Sequence, residues 1–175
     1  SGGSDVADTG LVVFSSEEPL LVAGDVNGDT DVFTGDGTTP TYDEPIVRQG
    51  WLEIDLPGAE PKRVGITRAH LEEDAGKSIH VGSGAGSEGS QIDLNRAGVA
   101  MLEIVSEPDL TSADMAYEYL NALKQILIYG GVSDADMEKG QLRCDCNVSV
   151  RPEGASELGV KIEIKNMNSI SGVRR

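Results

Sequence analysis

Three places in this chain carry residues whose types and spacing can do chemistry. The first is Glu103, a lone carboxylate inside the apolar run Val99-Ala100-Met101-Leu102-Glu103-Ile104-Val105. An isolated buried charge is very costly. Glu103 therefore needs a cation, a hydrogen-bonding partner or a raised pKa, unless it lies on the exposed face of an edge strand. The second is the acidic triplet Glu72-Glu73-Asp74 at the end of a strand-like stretch. Its mutual repulsion is relieved by a cation or by solvent. It reads as metal ligation by Glu72 or Glu73, as general acid–base work, or as a solvated turn before Ala75-Gly76-Lys77. The third is residues 141–168, where Gln141, Arg143, Asp145, Asn147, Ser149 and Arg151 alternate with Leu142, Cys144, Cys146, Val148 and Val150. A mixed polar row of that kind can hold a phosphate, a metal and a polar substrate together. Its competing reading is the solvated face of a one-sided antiparallel sheet.

The elements that must position these groups follow from periodicity. Alternation across residues 141–151 is the period-two signature of a strand with one chemical and one oily face. A second arm repeats it, with Val160, Ile162 and Ile164 on one side and Lys161, Glu163 and Lys165 on the other. Pro152-Glu153-Gly154-Ala155-Ser156-Glu157 supplies the turn, so the segment predicts a β-hairpin. Another hairpin is predicted from the strand 51–56, the turn PGAEP and the strand 62–71, which runs into Glu72. Ala116, Tyr119, Leu120, Leu123, Ile126 and Leu127 form one apolar stripe at helical spacing. Thr111 with Asp114 resembles a capping box ahead of it, and Gly130-Gly131 ends it. Residues 81–90 read as a flexible Gly/Ser loop without a phosphate-loop pattern. Residues 169–175 read as the first turns of another helix.

Composition limits the function classes. The 175 residues carry a net charge of −16, a balance that repels nucleic acid unless a local basic patch or a partner intervenes. Ten of the sixteen net negative charges fall before Arg48, the first basic residue. Within that acidic stretch, Leu11-Val12-Val13-Phe14 and Pro19-Leu20-Leu21-Val22 are candidate weak strands. Asp25, Asn27, Asp29 and Asp36 approximate a calcium loop, with Thr30 where Gly is wanted and Asp36 where a bidentate Glu is usual. His70 and His80 lack zinc-motif spacing and read as ordinary surface or core histidines. Cys144 and Cys146, both on the oily face of one strand, read as buried reduced thiols. No transmembrane run or signal peptide is visible, so the expected compartment is reducing and cytoplasmic, with no membrane contact. The fold class expected is α+β, with a mainly antiparallel sheet and packed helices.

Four segments go further. GITRAHLEEDAGKSIH, DLNRAGVAMLEIVSEPDL, GVSDADMEKGQLRCDCNVSVRP and LGVKIEIKNMNSISGVRR resemble, in this order, the catalytic domain of the B subunit of the aspartyl/glutamyl-tRNA(Asn/Gln) amidotransferase. The resemblance covers residues 42–175. It divides the chain into an acidic, poorly ordered segment of unknown role at 1–40 and a partial catalytic domain at 41–175. It implies a curved, glutamine synthetase-like cradle. The implied enzyme is a carbon–nitrogen ligase with glutamine as nitrogen donor. It uses ATP and Mg²⁺ to phosphorylate the side-chain carboxylate of Glu or Asp mischarged on tRNA(Gln) or tRNA(Asn). Ammonia from a partner amidase, the A subunit, then displaces the phosphate. A small C subunit completes the assembly, in the cytoplasm or an organellar matrix. Carried over by motif, Glu73 and Glu103 match Mg²⁺ ligands and catalytic groups, with Glu72 a near neighbour. Asp145 joins them on the polar hairpin face, and Arg143, Asn147, Lys161 and Lys165 line the nucleotide side.

Two family features are missing. A Gly-Leu-Glu-x-His strand that brings further metal ligands, and an Arg-Lys-Asn-Tyr-Phe-Tyr-Pro-Asp motif, have no counterpart in residues 1–40. The chain alone is therefore expected to be catalytically incompetent. The alternative expectation is a non-catalytic remnant or binding module that keeps the fold without the chemistry.

Overall fold

A computed structural model describes residues 5–16, 45–81 and 89–175. Its strands are β1 (Asp5–Ser16), β2 (Val47–Ile54), β3 (Lys62–Glu73), β4 (Lys77–Val81), β5 (Gly89–Asp93), β6 (Ala100–Ser106), β7 (Leu142–Pro152) and β8 (Ile162–Met167). Its helices are α1 (Ala113–Tyr129) and α2 (Ile170–Arg174). Six strands form one sheet in the order β2-β3-β6-β1-β7-β8, and β4 and β5 form a separate two-stranded sheet. Every pairing is antiparallel. The class is α+β, as the sequence led us to expect.

Both anticipated hairpins are present. β2 and β3 are joined by the PGAEP turn, where Gly58 takes φ +75° and the Ala59 amide donates to the Leu56 carbonyl at 3.1 Å. β7 and β8 pair from Cys144↔Met167 to Val148↔Ile162. The candidate strand Leu11-Val12-Val13-Phe14 falls within β1, which fills the middle of the sheet between β6 and β7. The stretch Pro19-Leu20-Leu21-Val22 and the calcium-like Asp25, Asn27, Asp29 and Asp36 lie outside the described residues. The β4–β5 hairpin was not foreseen. Its strands are five residues each and take in both ends of the Gly/Ser stretch that reads as loop.

One face of the large sheet carries the core. Met115, Ala116, Tyr119, Leu120, Leu123 and Leu127 of α1 pack on Ile54, Val64, Ala69, Ile104, Leu142, Cys144 and Cys146. The helix begins one residue later than the Thr111 capping box would have it: Ser112 is the N-cap, and its hydroxyl accepts from the Met115 amide at 3.2 Å. Ser112 satisfies the usual N-cap-to-N3 geometry, and Thr111 instead points its hydroxyl at the Met115 sulfur, 3.4 Å away. The helix stops at the glycine pair, with Gly131 in the left-handed region at φ +67°, a conformation Gly adopts without the Cβ penalty.

β3 contains the feature that decides what faces where. Its ladder with β6 shifts register between Ile66 and Arg68. A bulge inserts one extra residue and so inverts the alternation beyond it. Before the bulge Val64 points into the core; after it Ala69 does. Arg68, His70 and Glu72 are therefore turned to the face away from α1.

Candidate functional site

The site grows out of that inversion. In the β3–β6 ladder His70 stands directly opposite Glu103, and Ala69 stands opposite Ile104. Because Ile104 is a core residue, Glu103 shares the face away from α1 with His70. Directly opposed Cβ atoms lie about 5 Å apart, close enough for side chains to meet. The His70 Nε2 is 3.0 Å from Glu72 Oε1 and 3.8 Å from Glu103 Oε2. One ligand atom from each of the three residues falls within 4.8 Å of the others. The side chains are 1% (His70), 24% (Glu72) and 14% (Glu103) exposed.

Burial pushes the Glu103 carboxyl up to about 7, and the hydrogen bond and charge of Glu72 push the same way. The Arg68 guanidinium, 3.6 Å from Glu103 Oε1, pulls back, and Asp145 adds to the upward push. Two carboxylates this close cannot both ionise cheaply. A divalent cation between them would remove that repulsion. The donor set suits that role: two carboxylates offer the hard oxygens Mg²⁺ prefers, with open directions left for water or phosphate. The imidazole is a borderline ligand and is better suited to orienting Glu72.

A second cluster borders the first. Asp74 receives Arg96 Nε at 2.9 Å and lies 3.7 Å from Arg143 Nη2. Arg143 also meets the Met101 sulfur at 2.9 Å, and Arg96 donates to the Gly140 carbonyl at 3.1 Å. Phe14 of β1 is the register partner of both Glu103 and Arg143, so one strand separates them. Their backbones are then about 10 Å apart, two strand spacings. Asp145 accepts from the Asn166 amide at 2.7 Å, and the Asn147 side-chain oxygen is buried without a hydrogen-bond partner.

The sequence-derived residues thus separate. Glu72 and Glu103 come together, Asp145 is within electrostatic reach of Glu103, and Arg143 stands on the same face. Glu73 is exposed and, by alternation, directed away from Glu72. Lys165 is paired with Glu163 at 3.6 Å on the edge strand, and Lys161 is exposed just ahead of it. His70 was read as ordinary, yet it is the hub of the cluster. The signal that finds it is the cross-strand register, in which HLE and LEI lie side by side.

An antiparallel sheet packed by α1 on one face, with paired carboxylates beside guanidinium groups on the other, defines the class as an α+β domain with a charged sheet face. The comparisons with known proteins narrow that class. The GatB/GatE catalytic domain matches residues 36–175, a range holding both clusters. The B subunit of the aspartyl/glutamyl-tRNA(Asn/Gln) amidotransferase of Nostoc punctiforme is 56% identical over 140 residues, which is 77% of this chain and 28% of that protein. The proteins of the same name from a Synechococcus species and from Listeria monocytogenes are each 53% identical, over 136 and 134 residues, again 77% of this chain. The chain belongs to the GatB/GatE catalytic domain family. It spans about 28% of the length of the curated relatives it matches.

Proposed function

We propose that this chain supplies the magnesium- and nucleotide-binding face of an ATP-dependent amidotransferase acting on Glu or Asp mischarged on tRNA(Gln) or tRNA(Asn). The observation that carries the reading is the Glu72–Glu103 pair, held by His70 on the sheet face away from α1. In this reading that face is the floor of a glutamine synthetase-like cradle. Glu72 and Glu103 hold Mg²⁺, His70 fixes the Glu72 carboxylate, and Arg143 and Asn147 face the nucleotide. Mg²⁺, when bound, neutralises charge on the phosphates of ATP. The γ-phosphoryl passes to the side-chain carboxylate, leaving ADP, and ammonia then displaces phosphate to give the amide. Such a transfer needs positioning and charge neutralisation more than a covalent protein group, and the residues present are of that kind. The ammonia comes from glutamine through the amidase, or A, subunit, with a small C subunit in the assembly, in the cytoplasm or an organellar matrix. Among the described residues no helix is long and apolar enough to cross a membrane.

One observation favours a second reading, a binding module that keeps the fold without the chemistry. β1 sits between Glu103 and Arg143, and its twelve residues include neither the Glu nor the His of the Glu-x-His strand that the family resemblance implies. Calorimetric titration with ATP, with and without Mg²⁺, of this chain and of Glu103→Ala separates the two. Mg²⁺-dependent binding lost in the variant supports the enzyme reading. A folded chain that binds no ATP supports the module.

A further inference from the structure

The chain has a single tryptophan, and it is displayed rather than buried. Trp51 is 54% exposed on β2. Its neighbours Leu52 and Ile54 pack toward the core, so Trp51 lies on the face away from α1, the face that carries Glu72 and Glu103. The Arg63 guanidinium lies over the ring, 3.8 Å from its centroid. Arg63 is held there by Glu53, its cross-strand partner, through a 3.5 Å contact. A tryptophan left half in water costs the fold its share of hydrophobic gain. A guanidinium fixed flat on it makes a rigid planar surface with one further face for a third ring.

The surroundings say what kind of ring. Gly65 is the cross-strand partner of Trp51. A Cβ at Gly65 would lie 2.7 Å from Glu107 Cγ and 3.2 Å from Asp109 Oδ2, so both carboxylate side chains cross the sheet at this level. They are anchored in place: Thr67 donates its hydroxyl to Glu107 at 2.8 Å, and the Gly65 amide donates to Asp109 at 2.8 Å. Carboxylates repel a phosphate but accept from an amino group. The fit is therefore an uncharged aromatic ring bearing an exocyclic amine.

We propose that Trp51 and Arg63 form a stacking platform for an adenine base on the sheet face away from α1. The sources of that adenine rest on the amidotransferase reading: ATP itself, or the terminal adenosine of a tRNA acceptor end. Stacking on such a pair needs no metal ion, and the preference for an amino-bearing ring comes from Glu107 and Asp109.

The lone tryptophan is its own reporter. Fluorescence of the full chain, held in EDTA, is titrated with AMP, with IMP, with a short RNA ending in CCA, and with pyrophosphate. AMP and the RNA are expected to quench, IMP to bind several-fold more weakly, and pyrophosphate to do nothing. Saturation by AMP at concentrations well below those needed for the RNA assigns the platform to the free nucleotide; the reverse assigns it to the RNA end. Arg63→Lys keeps the charge and loses the plane, and it is expected to weaken the AMP or RNA titration roughly tenfold. Trp51→Ala, followed by calorimetry, should match it. Quenching by pyrophosphate alone, no quenching by any probe, or an Arg63→Lys titration equal to the parent overturns the proposal. Because EDTA leaves no divalent cation for Glu72 and Glu103 to hold, failure of the magnesium site leaves this experiment unaffected.

Discussion

Glu103 of β6 and His70 of β3 are cross-strand partners whose side-chain atoms meet at 3.8 Å, with His70 at only 1% exposure. An imidazole buried against a carboxylate, with a second carboxylate 3.0 Å from the same nitrogen, is a concentration of polar groups that the aliphatic core opposite does not need. It binds β3 to β6 through electrostatics as well as backbone hydrogen bonds, and its strength depends on protonation.

The sign of that dependence follows from Glu103. Its pKa rises from 4.5 to about 7 in the fold, mainly through burial. The folded state then holds a proton the unfolded state has released, so this group's contribution is complete below pH 4.5 and disappears as pH rises to about 7. Unfolding free energies from denaturant titrations between pH 5 and pH 8 should fall relative to Glu103→Gln, by on the order of 2 kcal/mol across the window. Added Mg²⁺ should restore part of the loss at pH 8. Parallel curves for the two proteins would contradict the raised pKa of Glu103.

Asp74→Asn removes the carboxylate that faces both Arg96 and Arg143. Both arginines are partly solvated, so the stability cost should stay near about 1 kcal/mol. The larger effect is expected on ATP affinity, which should weaken several-fold as Arg143 loses its anchor. Calorimetry showing unchanged ATP affinity would separate Arg143 from nucleotide binding.

Tyr119 is fully buried on α1, and its hydroxyl has no hydrogen-bond partner. Burial also drives the phenol pKa upward, since the charged form has nowhere to go. A buried hydroxyl without a partner costs its desolvation. Tyr119→Phe should therefore be neutral or stabilising by about 1 kcal/mol. A clear loss in the thermal midpoint would point to a partner for the hydroxyl.

Cys144 and Cys146 are unbridged and buried beneath α1. The Cys144 thiol is pushed up by its contact with Cys146 and by burial, so it is a poor nucleophile. Neither thiol should react with an aromatic disulfide reagent in the native protein, and both should react at once in denaturant. Rapid native labelling of Cys144 would mean that the α1–sheet interface opens.

Alternation and helical spacing made the hairpins, α1 and the α+β class legible, because those signals are local. Glu103 was conspicuous for the same reason: a carboxylate among Val, Ile, Leu and Met needs explaining wherever it lands. His70 was not, because its significance lies in a pairing with a strand far along the chain, which no local period reports. Which of Glu72 and Glu73 shares a face with Glu103 was hidden for a related reason. It turns on which face the end of β3 presents, and that depends on a bulge that periodicity does not mark. The β4–β5 hairpin escaped because five residues beside a Gly-rich run show too little alternation to stand out from loop.

The bulge in β3 has a counterpart across the ladder. Gln49 of β2, at φ +54°, lies at the level of Thr67, and the pairing passes from Arg48↔Arg68 to Gly50↔Ile66. These two positions act as a parity marker in the gene. Joint loss of their codons would leave Val64, Ile66, Ala69 and Leu71 in uninterrupted alternation, with both faces of the sheet keeping their occupants. Loss of a single codon between Ala69 and Glu72 would send the carboxylates into the oil and the aliphatic groups into water. Length variation in this hairpin should therefore be tolerated in pairs at 49 and 67 and selected against in the strand beyond.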